Sequence, residues 1–279
     1  MNAILAKYNL PDFKMVQKVK VLPNLILWDD NDLRKTLTFD EFLNFQSSIY
    51  TMDLSVFERV EEFKLNANET LSDTFFNSTS LRVLELENVK FSARAKLNLP
   101  NLEDLLLSRV KCTSLNPGIG LSTKLNRIRL WHVGFKKLPN ELSALQQLKE
   151  LTVYNKLETL DGITFPLSLE KIDFRSNKLE NIPEEVLELP KLKFLDLSCN
   201  NFISFPTVKN SSLIEIDVWE TPFGIFKKNI DQLAKQLSKA TVKGGRNGKF
   251  VEDGNTVFLP GTNLYYSNQF PEGTTSSPY

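Results

Sequence analysis

The sequence predicts an α/β fold: a curved, right-handed solenoid with one parallel sheet on its concave face and short helical or 3₁₀ turns on its convex face. Three observations predict it. The first is register. Writing Leu169 to Lys191, LEKIDFRSNKLENIPEEVLELPK, above Leu192 to Pro206, LKFLDLSCNNFISFP, aligns Leu169 with Leu192, Ile172 with Leu195, Phe174 with Leu197, Asn177 with Asn200, Leu179 with Phe202, Ile182 with Phe205 and Pro183 with Pro206. The second is period: clear copies begin at Val60, Leu81, Leu102, Leu125, Leu148, Leu169, Leu192 and Leu213, at intervals of 21 or 23 residues. The third is alternation. Counting from each starting residue, positions 4 and 6 are apolar, as in Leu105/Leu107, Ile128/Leu130 and Leu151/Val153, so they share one side of a short strand while their neighbours point to the other.

These columns resemble the leucine-rich repeat, LxxLxLxxNxL, whose single unit cannot bury its apolar face but whose stack can. The resemblance covers residues 22–223, about three quarters of the chain. It looks most like the intracellular type with a PxELxxLxx outer segment, common in bacterial proteins and cytoplasmic scaffolds. What it implies is a binding surface for another protein along the concave face, with no cofactor.

In chain order, residues 1–21 read as an entry cap, in which Ile4 and Tyr8 suggest a helical turn and Val19 and Val21 a short strand. A cap is needed because the first strand of a stack otherwise leaves its edge and core open to water. Two degenerate copies follow, one with Leu22, Leu25 and Leu27 at positions 1, 4 and 6, the other with Leu43 and Phe45 in its strand. In the clear copies, Pro139-Asn140-Glu141-Leu142 and Pro183-Glu184-Glu185-Val186 predict short helical or 3₁₀ returns, since Pro fixes the first turn and the Leu or Val behind it dips inward.

Position 9 departs from the family pattern. The resemblance implies a buried Asn there that hydrogen-bonds the turn; Asn68, Asn177 and Asn200 fit, and Asn155 fits with one residue missing, but Val89, Val110, Val133 and Thr221 stand at the other sites. The Asn ladder is therefore expected to be interrupted in the middle. Position 11 carries Phe91, Phe135, Phe202 and Phe223, which thicken the outer core. Residues 224–242 read as a capping helix, with Phe226, Ile230, Leu233 and Leu237 on one face. Residues 243–279 read as a basic turn (Gly244 to Lys249), a hairpin about Asp253-Gly254 and a tail, PEGTTSSPY, too poor in apolar residues to fold.

The 34 basic and 34 acidic residues cancel, which argues against nucleic acid as partner. No apolar run reaches the ~18 residues of a membrane span, and the first residues do not read as a signal peptide. Cys112 and Cys199 fall four strands apart, roughly 20 Å at a strand spacing of ~4.8 Å, too far to pair. The expected setting is cytoplasmic, with a secreted or host-delivered protein as the alternative.

All three tryptophans, Trp28, Trp131 and Trp219, fall at concave position 7, where a large apolar ring gains from a partner. Tyr154 and Arg175 follow Trp131 in the next two copies, and Arg127 and Arg129 share its strand. This is hot-spot composition; it is equally the composition of a self-packing ladder of stacked rings and arginines. Asp173, Asp196 and Asp217 occupy position 5 in three successive copies, beside Glu215 and Trp219. That strip suits a basic partner, or is a solvated face offset by Lys171, Lys193 and Arg175.

Catalysis has little support. His132 is the single histidine, Cys112 reads as a core residue, Cys199 alone makes no metal site, and the Gly244 to Lys249 turn lacks the spacing and the Ser or Thr of a phosphate loop. Asn68, Asn77 and Asn210 match the glycosylation pattern at about the rate of chance. The expected function is non-enzymatic recognition of a partner protein. Alternatives are a host-directed bacterial effector that acts by binding, or an extracellular recognition or adhesion protein.

Overall fold

The computed structural model describes residues 16–22, 25–28, 31–32, 38–91, 94–111, 115, 117–154, 156–208, 212–247, 249–252 and 255–258. The expectations for Ile4, Tyr8, Cys112, Asn155, Asn210, Asp253, Gly254 and the tail lie outside these residues.

The eight clear copies each supply one strand: β4 Glu62–Asn66, β5 Val83–Glu87, β6 Asp104–Ser108, β7 Arg127–Trp131, β8 Glu150–Tyr154, β9 Lys171–Asp173, β10 Phe194–Asp196 and β11 Glu215–Asp217. They run parallel and side by side in one sheet, in register by repeat position, so that Leu105 faces Ile128 and Ile128 faces Leu151. Each strand buries positions 4 and 6 and leaves 3, 5 and 7 on the inner face. Positions 1, 4 and 6 of every copy lie in one continuous core. Burying each such Leu or Ile contributes roughly 1.5–3 kcal/mol, a gain a lone repeat could not collect.

The returns lie on the outer side. Asn140–Ala144 is a 3₁₀ turn capped by Pro139, and α2 Glu184–Leu187 is a helical turn capped by Pro183. Leu142 and Val186, the residues expected to dip inward, are fully buried. Phe91, Phe135 and Phe202 are buried as well, and a run of edge-packed rings, Phe57, Phe63, Phe75, Phe76 and Phe91, fills the N-terminal half.

The two degenerate copies are not repeats. β1 Lys18–Leu22 pairs parallel with β4, and β2 Leu25–Trp28 and β3 Asn31–Asp32 then fold back antiparallel, which places Leu25, Leu27 and Trp28 in a meander that extends the sheet past its first repeat. Leu43 and Phe45 lie in a helix, α1 Phe39–Thr51, that buries Phe45 and Ile49 and leaves Leu43 exposed. Spacings of three and four between Phe42, Phe45 and Ile49 outweigh the two-residue match to a strand.

The ladder is broken as expected, and more so. Asn177 donates to Val153 O and Phe174 O and accepts from Leu157 N, while Asn200 donates to Phe174 O and Leu197 O and accepts from Leu179 N. Thr221 continues the series with a hydroxyl that donates to Val218 O and accepts from Gly224 N. Asn68, however, is exposed, and Ala67 takes the inner place. The cause is backbone conformation. Position 8 is left-handed in the later copies, at Asn88, Arg109, His132, Ser176, Cys199 and Glu220, but not at Ala67, so the turn after β4 never rotates position 9 inward. At the Val turns, backbone pairs with backbone: Lys90 N donates to Glu69 O, Leu71 N to Lys90 O and Lys111 N to Val89 O. This is how the buried Val89 and Val110 are tolerated without an amide.

The capping helix is α3 Lys227–Gln236, burying Ile230 and Leu233, with Leu237 behind it. Phe226 is half exposed at the helix start and does not join the buried face. The helix is followed by a strand that no column predicted, β12 Thr241–Lys243, paired parallel with β11. Two glycines allow this closure: a Cβ on Gly224 would stand 1.9 Å from Val218 O, and one on Gly244 2.4 Å from Ile230 Cδ1. The final hairpin is present as β13 Lys249–Glu252 and β14 Asn255–Phe258.

Candidate functional site

The parallel register turns each inner position into a row across the sheet. Position 3 runs Asp104, Arg127, Glu150, Lys171, Phe194, Glu215; position 5 runs Glu85, Leu106, Arg129, Thr152, Asp173, Asp196, Asp217; position 7 brings Trp131 beside Tyr154. Trp131 and Trp219 lie four strands apart, about 19 Å at the usual spacing.

In the middle of the face, the sequence-predicted residues are brought together and turned on one another. Trp131 and Tyr154 stack with centroids 6.4 Å apart and planes 9° from parallel. The Arg129 guanidinium lies 6.0 Å from the Trp131 ring and that of Arg175 4.9 Å from the Tyr154 ring. Tyr154 Oη donates to Asp173 Oδ2 at 2.6 Å and accepts from Arg175 Nε at 2.7 Å. Asp104 takes both arginines, Arg127 at 3.2 Å and Arg129 at 3.0 Å, while Arg127 also reaches Glu150 at 3.1 Å and Arg129 reaches Glu85 at 3.6 Å. Burial of Tyr154 and the charge of Asp173 push its phenol well above the ordinary value, so it stays a donor. Two donors in this cluster, Trp131 Nε1 and Arg129 Nε, are covered and have no acceptor among the described residues.

Sequence reasoning missed the carboxylates that hold the arginines, Glu85, Asp104 and Glu150. They were findable, because they sit at positions 3 and 5 of adjacent copies. Reading the charged columns as closely as the apolar ones would have paired them.

The aspartate row is different. Asp173 is buried and paired with Arg175 at 3.3 Å. Asp196 accepts from Ser198 N and Oγ, and Asp217 from Trp219 N, and neither makes an ion pair among the described residues. The lysines expected to offset them do not: Lys193 pairs with Glu170 at 3.6 Å, and Lys171 pairs with no described acid. Burial, then the charge of Asp196, raises Asp173 above the ordinary carboxylate range and pushes Asp217 up to about 6.

His132 is exposed in one of the left-handed turns. Cys199 is a free thiol beside Glu220, and burial followed by that charge pushes it up to about 11, so it is protonated at neutral pH. Among the described residues, no group of three His, Cys, Asp or Glu is arranged to hold a metal, and no helix is long and apolar enough to cross a membrane. Asn68 is exposed, whereas the Asn77 amide donates to Asp53 and accepts from Asn98.

Comparison with known proteins agrees with the repeat register. Residues 167–210 match the family model "Leucine Rich repeats (2 copies)". Adenylate cyclase of Schizosaccharomyces pombe is 28% identical over 169 residues, 57% of this chain and 9% of that protein. Leucine-rich repeat-containing protein 58 of Xenopus tropicalis is 28% identical over 122 residues, 42% of this chain and 34% of that protein. The chain thus spans about a tenth of the first relative and a third of the second. Solved structures with similarity include the functional domain of InlJ from Listeria monocytogenes (20% identity, 69% of this chain and 40% of that one, TM-score 0.48). The Arabidopsis receptor kinase HAESA ectodomain gives 21% identity, 72% and 36% coverage and a TM-score of 0.47. With the matched pair at 167–210 continued in register by the strands on either side, the chain folds as a leucine-rich-repeat solenoid.

Proposed function

We propose that the chain recognises another protein along the inner face of its sheet and performs no chemistry of its own. The observation that carries this reading is how unevenly the two sides are covered. The outer side is occupied by the chain's own returns, which bury Leu142, Val186, Phe135 and Phe202. The inner face leaves Trp131, Tyr154 and Trp219 partly in water and Phe194 exposed. Partly exposed aromatic residues on a rigid sheet offer a partner large contact area at little cost in side-chain ordering. The cyclase match does not carry an activity across, since it spans 9% of that protein. His132 and Cys199 offer no activated group: the one is a turn residue and the other a protonated thiol.

The test is crosslinking capture from a lysate of the source organism by the wild type and by Trp131→Ala combined with Thr152→Arg, which removes a ring and adds a long side chain on the inner face. The expected result is loss of the captured protein at a melting temperature within a few degrees of wild type. Equal capture by this variant would remove the Trp131 and Tyr154 cluster in the middle of the inner face from consideration. Arg129 is left in place because its loss would remove one of the two cations that hold each of Asp104 and Glu85.

A further inference from the structure

Resting on the inner-face reading above, the C-terminal end of that face identifies the chemistry of what it holds. Around β10 and β11, three described cations are already committed, Arg175 to Asp173 at 3.3 Å, Lys243 to Glu215 at 2.7 Å and Arg246 to Glu220 at 3.8 Å, and Lys171 stands in the row of Phe194 and makes no ion pair with a described acid. Two carboxylates remain, Asp196 and Asp217, in direct register on neighbouring strands. At strand spacing, about 4.8 Å, two such charges repel. Both side chains are held in place, Asp196 by Ser198 and Asp217 by the Trp219 amide.

The flanking rows supply a second, independent feature. One pleat toward the strand starts, Phe194 is 43% exposed beside Glu215, and Ile214, the residue before Glu215, is 50% exposed, an apolar step next to the two carboxylates. One pleat toward the strand ends stands Trp219, partly buried. Rows two residues apart are separated by about 6.6 Å, within the span of one long side chain and its neighbour on an extended backbone.

We propose that this surface receives an arginine or lysine side chain from an extended segment of a partner protein, its charged head against Asp196 and Asp217 and its apolar neighbour on Phe194 and Ile214. Charge complementarity selects this occupant: one cation between the two carboxylates relieves their repulsion and completes the pairing that every other acid of this region already has. The exposed Phe194 and Ile214 are what a bare metal ion would leave unused. Trp219 favours a cation over a neutral head at the far side of the step. A bound cation also favours the ionised form of Asp217, which is pushed up to about 6 by burial and Asp196. Glu215, Lys243, Asp196 and Trp219 are the groups that face it, so binding weakens as pH falls through that value.

The experiment is fluorescence anisotropy of the full chain with a labelled ten-residue peptide of alternating arginine and leucine. The same peptide with citrulline for arginine serves as neutral isostere. The expected results are binding of the arginine peptide and at least about tenfold weaker binding of the citrulline one. A similar loss is expected in Asp196→Asn with Asp217→Asn, which keeps the Ser198 and Trp219 hydrogen bonds, and a smaller loss in Phe194→Ser. Asp231→Asn, on α3 and paired with Lys227, should bind as wild type does. Equal binding by the double amide variant or by the citrulline peptide overturns the proposal. So does a melting temperature raised by calcium alone and insensitive to the peptide, or self-association abolished by the double amide variant, which would make the occupant a metal or a second copy. Failure of the peptide with loss of capture in the Trp131 variant would sink this inference and leave the inner-face reading intact; the reverse outcome would sink the earlier reading's middle site.

Discussion

Replacing Asn177 or Asn200 by alanine tests how the C-terminal half of the stack is held. Each amide bridges its own turn to the one before it. Asn177→Ala removes bonds to Val153 O at 2.6 Å, Phe174 O at 2.9 Å and from Leu157 N at 3.0 Å. Each neutral bond contributes about 1 kcal/mol net and each buried group left unpaired costs about 1–3 kcal/mol, so a loss of about 3–5 kcal/mol is expected. That is a large part of the stability of an ordinary domain, about 5–15 kcal/mol. The two residues are also coupled, because Phe174 O receives both amides. Either single variant leaves that carbonyl one partner, and the double variant leaves none. The double variant should therefore cost about 1–2 kcal/mol more than the sum of the singles. Urea unfolding followed by circular dichroism measures all three, and hydrogen exchange at the Leu157 and Leu179 amides reports each turn separately. Single losses below about 1 kcal/mol, or a strictly additive cycle, would refute the ladder as the device that closes these turns.

Two further outcomes follow from the C-terminal end. Asp217 has a folded value of about 6 against an ordinary 3.8, so the folded state binds more protons between those values; its stabilising contribution is full below about 4 and is lost as pH rises through about 6. Relative to Asp217→Asn, wild type should gain up to about 3 kcal/mol between pH 7 and pH 4, read as the difference between their unfolding free energies. Gly224→Ala would set a methyl group 1.9 Å from Val218 O, and should cost about 3 kcal/mol or more by urea unfolding.

The stack was legible because its cause is periodic. Leu169, Ile172, Phe174 and their counterparts must face the same core in every copy, so the same residue types recur at the same offsets. The ends were not legible, since a cap has no copy to be compared with. β2, β3 and α1 satisfy local pairing and a helical spacing that coincides in two or three residues with the repeat, while β12 carries only Val242 as its partly buried residue. At the inner face, the sequence located the cluster of Trp131, Tyr154 and Arg175 but not its state. Whether Arg127 and Arg129 are available to a partner depends on Asp104 and Glu150, which lie 23 residues away along the chain and one strand away in space. The isolation of Asp196 and Asp217 is legible only by subtraction, after Lys193 is seen to serve Glu170 and Lys243 to serve Glu215.

The left-handed turns give the stack a direction. A non-glycine residue in that conformation carries a local penalty of about 1 kcal/mol. Here the five such position-8 residues Asn88, Arg109, His132, Ser176 and Cys199 donate their amides to the last inner-face residue of the following repeat, Ser108, Trp131, Tyr154, Ser198 and Trp219 in turn, and Glu220, in the last repeat, donates to Gly245 just after β12. A repeat therefore bears a cost in its own turn that its C-terminal neighbour offsets. Removing a neighbour at that end exposes the penalty in the repeat before it, and then in the next, so fraying that begins at Gly245 has a reason to travel toward the N-terminus, whereas fraying from the other end does not strand a turn in the same way. Strain passed from turn to turn in one sense makes the solenoid a ratchet, assembled most securely from its C-terminal lock backward.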